Sequence, residues 1–161
     1  MTTRDRLITW GLQVSRGCLL CNEPKESSDH LFFTYPFSQE VWCSLMSHPS
    51  LNPPLVFSQI VQWITKASSL PKLNTICSLV LQATVYEVWR ERNARIHGAT
   101  HRRPGFIIRD IYLTIRSKLV FLERHSSSCS PLHDHSHPLR YTYLSIWYGF
   151  VQFVTASALQ R

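Results

Sequence analysis

The sequence predicts a mainly α-helical fold, and three observations support this prediction. Apolar residues recur at steps of three or four over about residues 56–67, 73–97 and 104–122. Alternation typical of strands is scarce, and the first 47 residues instead combine cysteine, histidine and aromatic residues with glycine and proline. We therefore expect a small N-terminal knuckle packed on a bundle of three to four helices, followed by a flexible C-terminal extension.

Each helical segment is bounded by local signals. The first contains Ile60, Val61 and Ile64 and follows a proline-rich connector over residues 48–57. The second ends at Gly98, a typical helix stop, after a basic last stretch that complements the helix dipole. The third begins after Pro104, and its apolar stripe predicts an amphipathic helix: Ile108, Ile111, Ile115, Leu119 and Leu122.

Composition indicates three regions along the chain. Residues 1–47 form the knuckle region, and residues 48–124 form the helical part of the same domain. Residues 125–161 are expected to be a low-complexity linker and an apolar tail unrelated to that domain. The linker contains Cys129 and an H-x-H-x-H run, His133 to His137, whose metal-binding potential we interpret as incidental in this serine- and proline-rich setting.

Charge and cysteine content restrict the partners and the compartment. The chain has 161 residues, a formal charge of +7 and a pI near 9.5, which favours RNA, DNA or an anionic surface as partner. A basic protein without such a partner explains the charge equally well. Five cysteines, two of them in a C-x2-C pair, argue against a disulfide framework and favour an intracellular, nuclear or cytoplasmic location.

The apolar tail raises the alternative of a membrane anchor. Residues 141–160 contain no charged side chain and match the length of a membrane span. Several polar residues interrupt them, so we expect no anchor. A tail-anchored interaction protein therefore stays a less favoured alternative.

The knuckle contains a candidate metal site with the pattern C-x2-C-x8-H-x4-Y. Cys18 and Cys21 are spaced to hold one ion from a single tight turn, and His30 follows as a third ligand. The alternative is that both cysteines are small buried residues and that His30 is an ordinary hydrogen-bonded histidine. The spacing favours the metal site.

Several motifs in order resemble one known family. TTRDRLITWG, CLLC and ESSDHLFFTYPFSQEVW resemble the zinc-binding domain that follows the reverse transcriptase of plant LINE-type (non-LTR) retroelements. VYEVWRERNARIHG and IYLTIRSKL resemble later segments of that family, so the likeness covers about residues 1–122. The resemblance implies zinc ligands at Cys18, Cys21 and His30, a cysteine where this chain has Tyr35, and a first part of the domain missing ahead of TTRDRL.

The fourth ligand is the open question of this site. A phenol must lose its proton to bind well, so Tyr35 is a poor replacement for a thiolate. Cys43 is a chemically better substitute, but a helix starting at Ser38 places it about 7 Å along the axis. His48 is farther still. We therefore expect zinc to be bound weakly or lost.

A water molecule as fourth ligand would give the pattern of a catalytic zinc, with Glu26 or Asp29 as the base. Nothing else in the sequence indicates a substrate pocket. The chain also lacks Y-x-D-D, G-x-x-x-x-G-K and G-x-S-x-G motifs. We therefore expect no enzymatic activity and no small-molecule substrate.

Basic and aromatic residues suggest the partner. Between Arg90 and Arg124, nine basic residues stand against three acids, and Arg109 and Arg116 lie on one side of the last helix. A solvated helix face is the alternative to phosphate binding. We interpret Leu31, Phe32, Phe33, Phe37 and Trp42 as core residues in preference to a base-stacking platform. The predicted nucleic-acid contacts are Arg90, Arg92, Arg95, Arg102, Arg103, Arg109, Arg116 and Lys118.

The sequence thus predicts a non-catalytic zinc-binding module that assists nucleic-acid binding by charge. The second hypothesis is a decayed retroelement remnant that binds neither metal nor nucleic acid.

Overall fold

The computed structural model describes residues 2–18, 20–21, 23–98, 101–127 and 142–158. Over these ranges the chain is mainly helical and contains no strand, which confirms the predicted fold class. Its elements are α1 (Arg4–Thr9), a π-helical segment (His30–Thr34), α2 (Pro36–Leu45), α3 (Phe57–Ile64), α4 (Pro71–Ile96), α5 (Pro104–Ser127) and α6 (Tyr143–Ala158).

Proline and glycine set the helix ends. The helices α2, α4 and α5 each begin at a proline, whose missing N–H is not needed in the first turn. The helix α2 therefore starts at Pro36 instead of Ser38, and the Ser38 hydroxyl donates to the Tyr35 carbonyl at 3.0 Å. After α4, Gly98 adopts φ 75°, and its amide donates back to the Arg95 carbonyl, so the helix ends where the sequence predicts.

The helices α2, α4, α5 and α6 pack around one apolar core. On α5 the buried stripe is Ile107, Ile111, Ile115 and Leu119. The stripe therefore starts one residue before Ile108 and continues in steps of four, which turn gradually around the helix axis. On α4, Tyr86 is half exposed.

Helix α6 belongs to this core. Trp147 is 2% exposed and packs edge-on against Tyr112, and the buried Phe150 stacks on His48. This packing differs from the separate apolar tail that the composition predicts, because a charge-free stretch is typical of a buried helix as well as of a tail. The predicted boundary at residue 124 stays a prediction.

Two expectations concern the rest of the C-terminal region. Residues 128–141, with Cys129 and the H-x-H-x-H run, lie outside the described residues. Among the helices that the structure describes, none has the length and apolar character required to cross a membrane.

The aromatic residues after the candidate metal site confirm the core interpretation. Leu31, Phe32 and Phe33 are buried, and Phe33 packs edge-on against the buried Trp42 at 5.2 Å between ring centroids. Phe37 is half-buried beneath the Arg95 guanidinium. These rings join the knuckle to the helices and are not available to stack on bases.

Replacing the buried indole of α6 tests whether this helix is part of the cooperative fold. We expect Trp147→Ala to lower the free energy of unfolding by about 3–5 kcal/mol, because it removes a large buried side chain. The adjacent Tyr148 is 49% exposed, so Tyr148→Ala is the matched control and should change stability by less than about 0.5 kcal/mol. Urea unfolding monitored by circular dichroism measures both, and equal effects would contradict the packing of α6.

Candidate metal centre

Cys18 and Cys21 lie in a turn held by backbone hydrogen bonds. The Cys18 amide donates to the Glu23 carbonyl at 2.8 Å, which closes the loop around the C-x2-C pair. Within the loop, the Leu20 amide points at the Cys18 sulfur at 3.4 Å. Amide donors to sulfur favour the thiolate that a metal requires.

His30 begins the π-helical segment that follows the loop. Its amide donates to the Ser27 hydroxyl at 3.1 Å, and its carbonyl accepts from the Tyr35 amide at 2.7 Å across the wide turn. Leu31, Phe32 and Phe33 are buried in the core, while the His30 imidazole reaches the cysteine loop. The core therefore fixes the third candidate ligand.

The three side chains form one cluster. The Cys18 and Cys21 sulfurs and a His30 ring nitrogen all lie within 4.8 Å of one another, and Cys21 Sγ is 3.1 Å from His30 Nε2. Zinc bonds of about 2.3 Å to sulfur and 2.0–2.1 Å to nitrogen in a tetrahedron require ligand separations of roughly 3–4 Å. The donor types and spacing fit Zn²⁺ after small adjustments.

Burial favours the protonated form of one candidate ligand, Cys18. Burial raises the pKa of the Cys18 thiol, and its hydrogen-bonding partner Cys21 also contributes to the rise. Zinc binding must therefore displace the proton of the Cys18 thiol, and affinity falls in acid. When bound, zinc would supply a cross-link between the cysteine loop and the π-helical segment.

Tyr35, which stands where the resemblance implies a fourth ligand, contacts Arg95. Its buried hydroxyl accepts a hydrogen bond from Arg95 Nη1 at 3.2 Å. Burial raises the pKa of this phenol, and the effect outweighs the opposing influence of the Arg95 charge. A neutral phenol bound to a guanidinium is a poor zinc ligand.

The other two candidates for the fourth position do not join the cluster. Cys43 lies exposed on α2, and among the described residues no further cysteine, histidine or carboxylate completes the group within 4.8 Å. His48 stacks on Phe150, and its Nδ1 accepts from the Ser50 amide at 3.1 Å. The cluster therefore offers three protein ligands.

Glu26 and Asp29 have structural partners. The Asp29 carboxylate accepts from the Phe57 amide at 2.6 Å, at the N-terminus of α3, where a negative charge is favourable. Glu26 is fully buried, and its Oε1 contacts Arg92 Nη2 at 2.6 Å and the Arg4 amide at 3.2 Å. These contacts argue against either carboxylate as a general base.

The Glu26–Arg92 pair joins three parts of the chain. Besides its side-chain contacts, Glu26 donates its amide to the Arg16 carbonyl and accepts from the Asp5 amide through its own carbonyl. Arg92 comes from α4, Asp5 from α1 and Arg16 from the loop before Cys18. The pair thus fixes the knuckle on the central helix.

A second set of charges, the α4–α5 ion-pair network, lies next to Tyr35. Glu91 accepts from Arg95 Nε and Arg102 Nε, both at 2.9 Å, and Arg102 Nη1 contacts Asp110 at 3.0 Å. Burial opposes ionisation of Glu91, but hydrogen bonds from both arginines outweigh it and hold the pKa of its carboxyl below the ordinary value. The full network consists of Glu87, Arg90, Glu91, Arg95, Arg102 and Asp110.

These contacts divide the eight predicted nucleic-acid residues into two groups. Arg90, Arg92, Arg95 and Arg102 are all in ion pairs with acidic side chains. The other four are exposed and form no ion pair with any described residue: Arg103, Arg109, Arg116 and Lys118. Glu87 and Glu91 are not among the predicted site residues, although Glu87, Glu91 and Arg95 follow steps of four on one helix face.

Comparison with known proteins agrees with the N-terminal geometry. Residues 1–42 match the family model described as zinc-binding in reverse transcriptase. The matched residues include Cys18, Cys21, His30 and Tyr35, and the match supports the resemblance over this range. No curated protein and no solved structure matches the chain.

Restoring a thiolate at the fourth position should strengthen zinc binding. We expect Tyr35→Cys to tighten zinc binding by more than about 10–100-fold. Changes at residues that only hydrogen-bond to metal ligands already alter metal affinity by that factor, and a new direct ligand should do more. Tyr35→Phe is the control, because it removes the hydroxyl bound by Arg95 without adding a ligand, and should leave the affinity within about threefold. Competition with a chromophoric chelator under reducing conditions measures both, and an unchanged affinity in Tyr35→Cys would contradict the geometry.

The buried Glu26–Arg92 pair predicts that Arg92 contributes more to stability than the nearby Arg90. Arg92→Ala leaves the Glu26 carboxylate buried without its cation and should cost about 3–5 kcal/mol of unfolding free energy. Arg90 pairs with Glu87 while about half exposed, so Arg90→Ala should cost only about 0–1 kcal/mol. Chemical denaturation measures both, and equal losses would show that Glu26–Arg92 is not a special contact.

Proposed function

We propose that the chain is a non-catalytic zinc-binding module, derived from a retroelement reverse transcriptase, that contacts nucleic acid through α5. The main support is that the predicted basic residues fall into two groups, one in ion pairs and one exposed without ion pairs to the described residues. Arg92, Arg95 and their paired neighbours stabilise the fold, whereas the unpaired group is exposed at one helix. Phosphates are the polyanion that such a row of charges binds without sequence preference.

The unpaired group extends along α5. Arg103 precedes the helix, and Arg109 and Arg116 are seven residues apart, so they are about 20° apart around the axis. Lys118 is also exposed, but it lies about 160–180° round the helix axis from these two arginines. Their spacing distributes positive charge over about 20 Å, which suits a nucleic-acid backbone.

The zinc segment contributes by positioning this helix. Tyr35 contacts Arg95, Arg95 and Arg102 share Glu91, and Arg102 reaches Asp110 on α5. A contiguous set of hydrogen bonds thus runs from the knuckle to the first turns of α5. A metal that stabilises the knuckle would thereby support the orientation of the nucleic-acid surface.

The lineage is part of the proposal. The segments Val85–Gly98 and Ile111–Leu119 lie outside the matched residues 1–42, and their likeness to plant LINE-type elements rests on motifs alone. A second candidate is a decayed remnant that binds neither metal nor nucleic acid. Tyr35 favours that candidate, because it removes a thiolate at the fourth position.

Removing the unpaired charges tests the proposed surface. We expect the unmodified chain to bind RNA or DNA oligomers at low salt and to lose affinity steeply as salt rises, because phosphate contacts release counterions. A variant with Arg103, Arg109, Arg116 and Lys118 changed to glutamine should bind at least about tenfold more weakly and show a smaller salt slope.

The control for this variant removes the same number of positive charges elsewhere. Arg6, Arg16, Lys25 and Lys66 are exposed and lie outside α5, so their replacement by glutamine should leave most of the affinity and slope. Fluorescence anisotropy titrations measure all three proteins. Equal losses in the two variants would mean that net charge alone causes binding, and absence of binding in the unmodified chain would support the remnant hypothesis.

A further inference from the structure

We propose that the outer face of α5 binds single-stranded nucleic acid, with bases stacked on Phe106 and Phe121. This inference rests on the proposed function and specifies its ligand. Phe106 is 57% exposed and Phe121 is 60% exposed, and Leu113 between them is 51% exposed. Together with the cations beside them, we interpret these three exposed side chains as a ligand-binding surface.

Around the axis of α5, the exposed apolar residues lie between the two arginines and Lys118. At 100° per residue, Phe106 and Leu113 lie within about 20° of each other, and Phe121 lies about 60° from Phe106. Arg109 and Arg116 flank this ridge on one edge, and Lys118 flanks it on the other. The buried stripe through Ile111 and Ile115 lies on the opposite side.

The length of the ridge suits several nucleotides. Phe106 and Phe121 are fifteen residues apart, so they are separated by about 22 Å along the axis. Successive nucleotides in a duplex strand rise about 3.4 Å, and a single strand can extend further to place separate bases on each ring. Aromatic rings between cations are the arrangement that single-strand binders use.

A cavity and the His125 ring lie next to Phe121. A cavity of about 380 Å³ opens beside it, with the apolar side chains of Leu79 and Leu122 in its wall and Lys118 at its edge. One side of the Phe121 ring contacts the His125 ring at 4.1 Å between centroids. A base that stacks here therefore has an aromatic partner, an apolar wall and a nearby cation.

The charges favour a single strand over other occupants. A second copy of the chain would bring the same cations face to face, which opposes association. A membrane surface requires a continuous apolar stripe, but Asp110, Thr114 and Ser117 interrupt this one. A duplex satisfies the cations but hides the faces of its bases, so the phenylalanines would contribute nothing.

The test compares strands and phenylalanines in the full chain. Anisotropy titrations at low salt use a labelled oligouridine, a labelled single-stranded DNA and a hairpin duplex of equal nucleotide number. We expect the unmodified chain to prefer the single strands. Phe106→Ala and Phe121→Ala should each weaken single-strand binding by about fivefold or more and leave duplex binding unchanged.

Tyr86→Ala and Tyr148→Ala are the matched controls, because both tyrosines are about half exposed on other helices. Neither should change binding, and unchanged urea midpoints will show that all four variants fold. Equal loss in the tyrosine controls, or no loss in the phenylalanine variants, would overturn the inference.

Further outcomes separate this inference from the proposed function. Binding of all three oligomers with equal affinity, insensitive to the phenylalanines, overturns the stacking inference and leaves charge-based binding standing. No binding of any oligomer by the unmodified chain overturns both. The last measurement uses vesicles of anionic phospholipid. If the chain binds vesicles but no oligomer, and this binding depends on the phenylalanines, the outer face of α5 binds a membrane and the inference is overturned.

Discussion

The buried ion pair between Glu26 and Arg92 is the contact on which the N-terminal half of the structure depends. A carboxylate with no solvent exposure requires a cation, and α4 supplies it from the middle of the bundle. Through the same residue the chain also anchors Arg4 and Asp5 of α1 and the loop before the cysteines. The pair uses only some of its hydrogen-bonding groups, since Glu26 Oε2 and Arg92 Nε have no partner among the described residues. Its main effect is therefore to specify one docking geometry for the knuckle.

That docking holds Cys18, Cys21 and His30 together through protein contacts as well as through any bound metal. In a small isolated knuckle, the metal supplies most of the folding free energy. Here the aromatic residues around Phe33 and Trp42 and the pair at Glu26 attach the same segment to a helical core. Tyr35 joins this scaffold by contacting Arg95, which links the knuckle to the α4–α5 ion-pair network. The candidate site therefore combines three possible metal ligands with a scaffold of protein contacts.

Much of this could be predicted from the sequence, and the limits have physical causes. Helical spacing and Gly98 predicted α4 and α5, and the C-x2-C-x8-H spacing predicted the residues that the structure brings within 4.8 Å. Local patterns do not show which face of a charged helix meets another element, so Arg92, Arg95 and Arg102 were indistinguishable from Arg109 and Arg116. The packing of α6 was missed for a related reason: an uncharged stretch is equally suited to a tail and to a core, and only the partner helices decide between them.

The central claim is that Cys18, Cys21 and His30 together hold one zinc ion on this scaffold. Native mass spectrometry of the purified full chain, prepared under reducing conditions with stoichiometric zinc, tests it most directly. The account predicts one bound zinc in the unmodified chain and in Cys43→Ser, and none in Cys18→Ser under the same conditions. Zinc retained by Cys18→Ser, or absent from the unmodified chain, would contradict the claim.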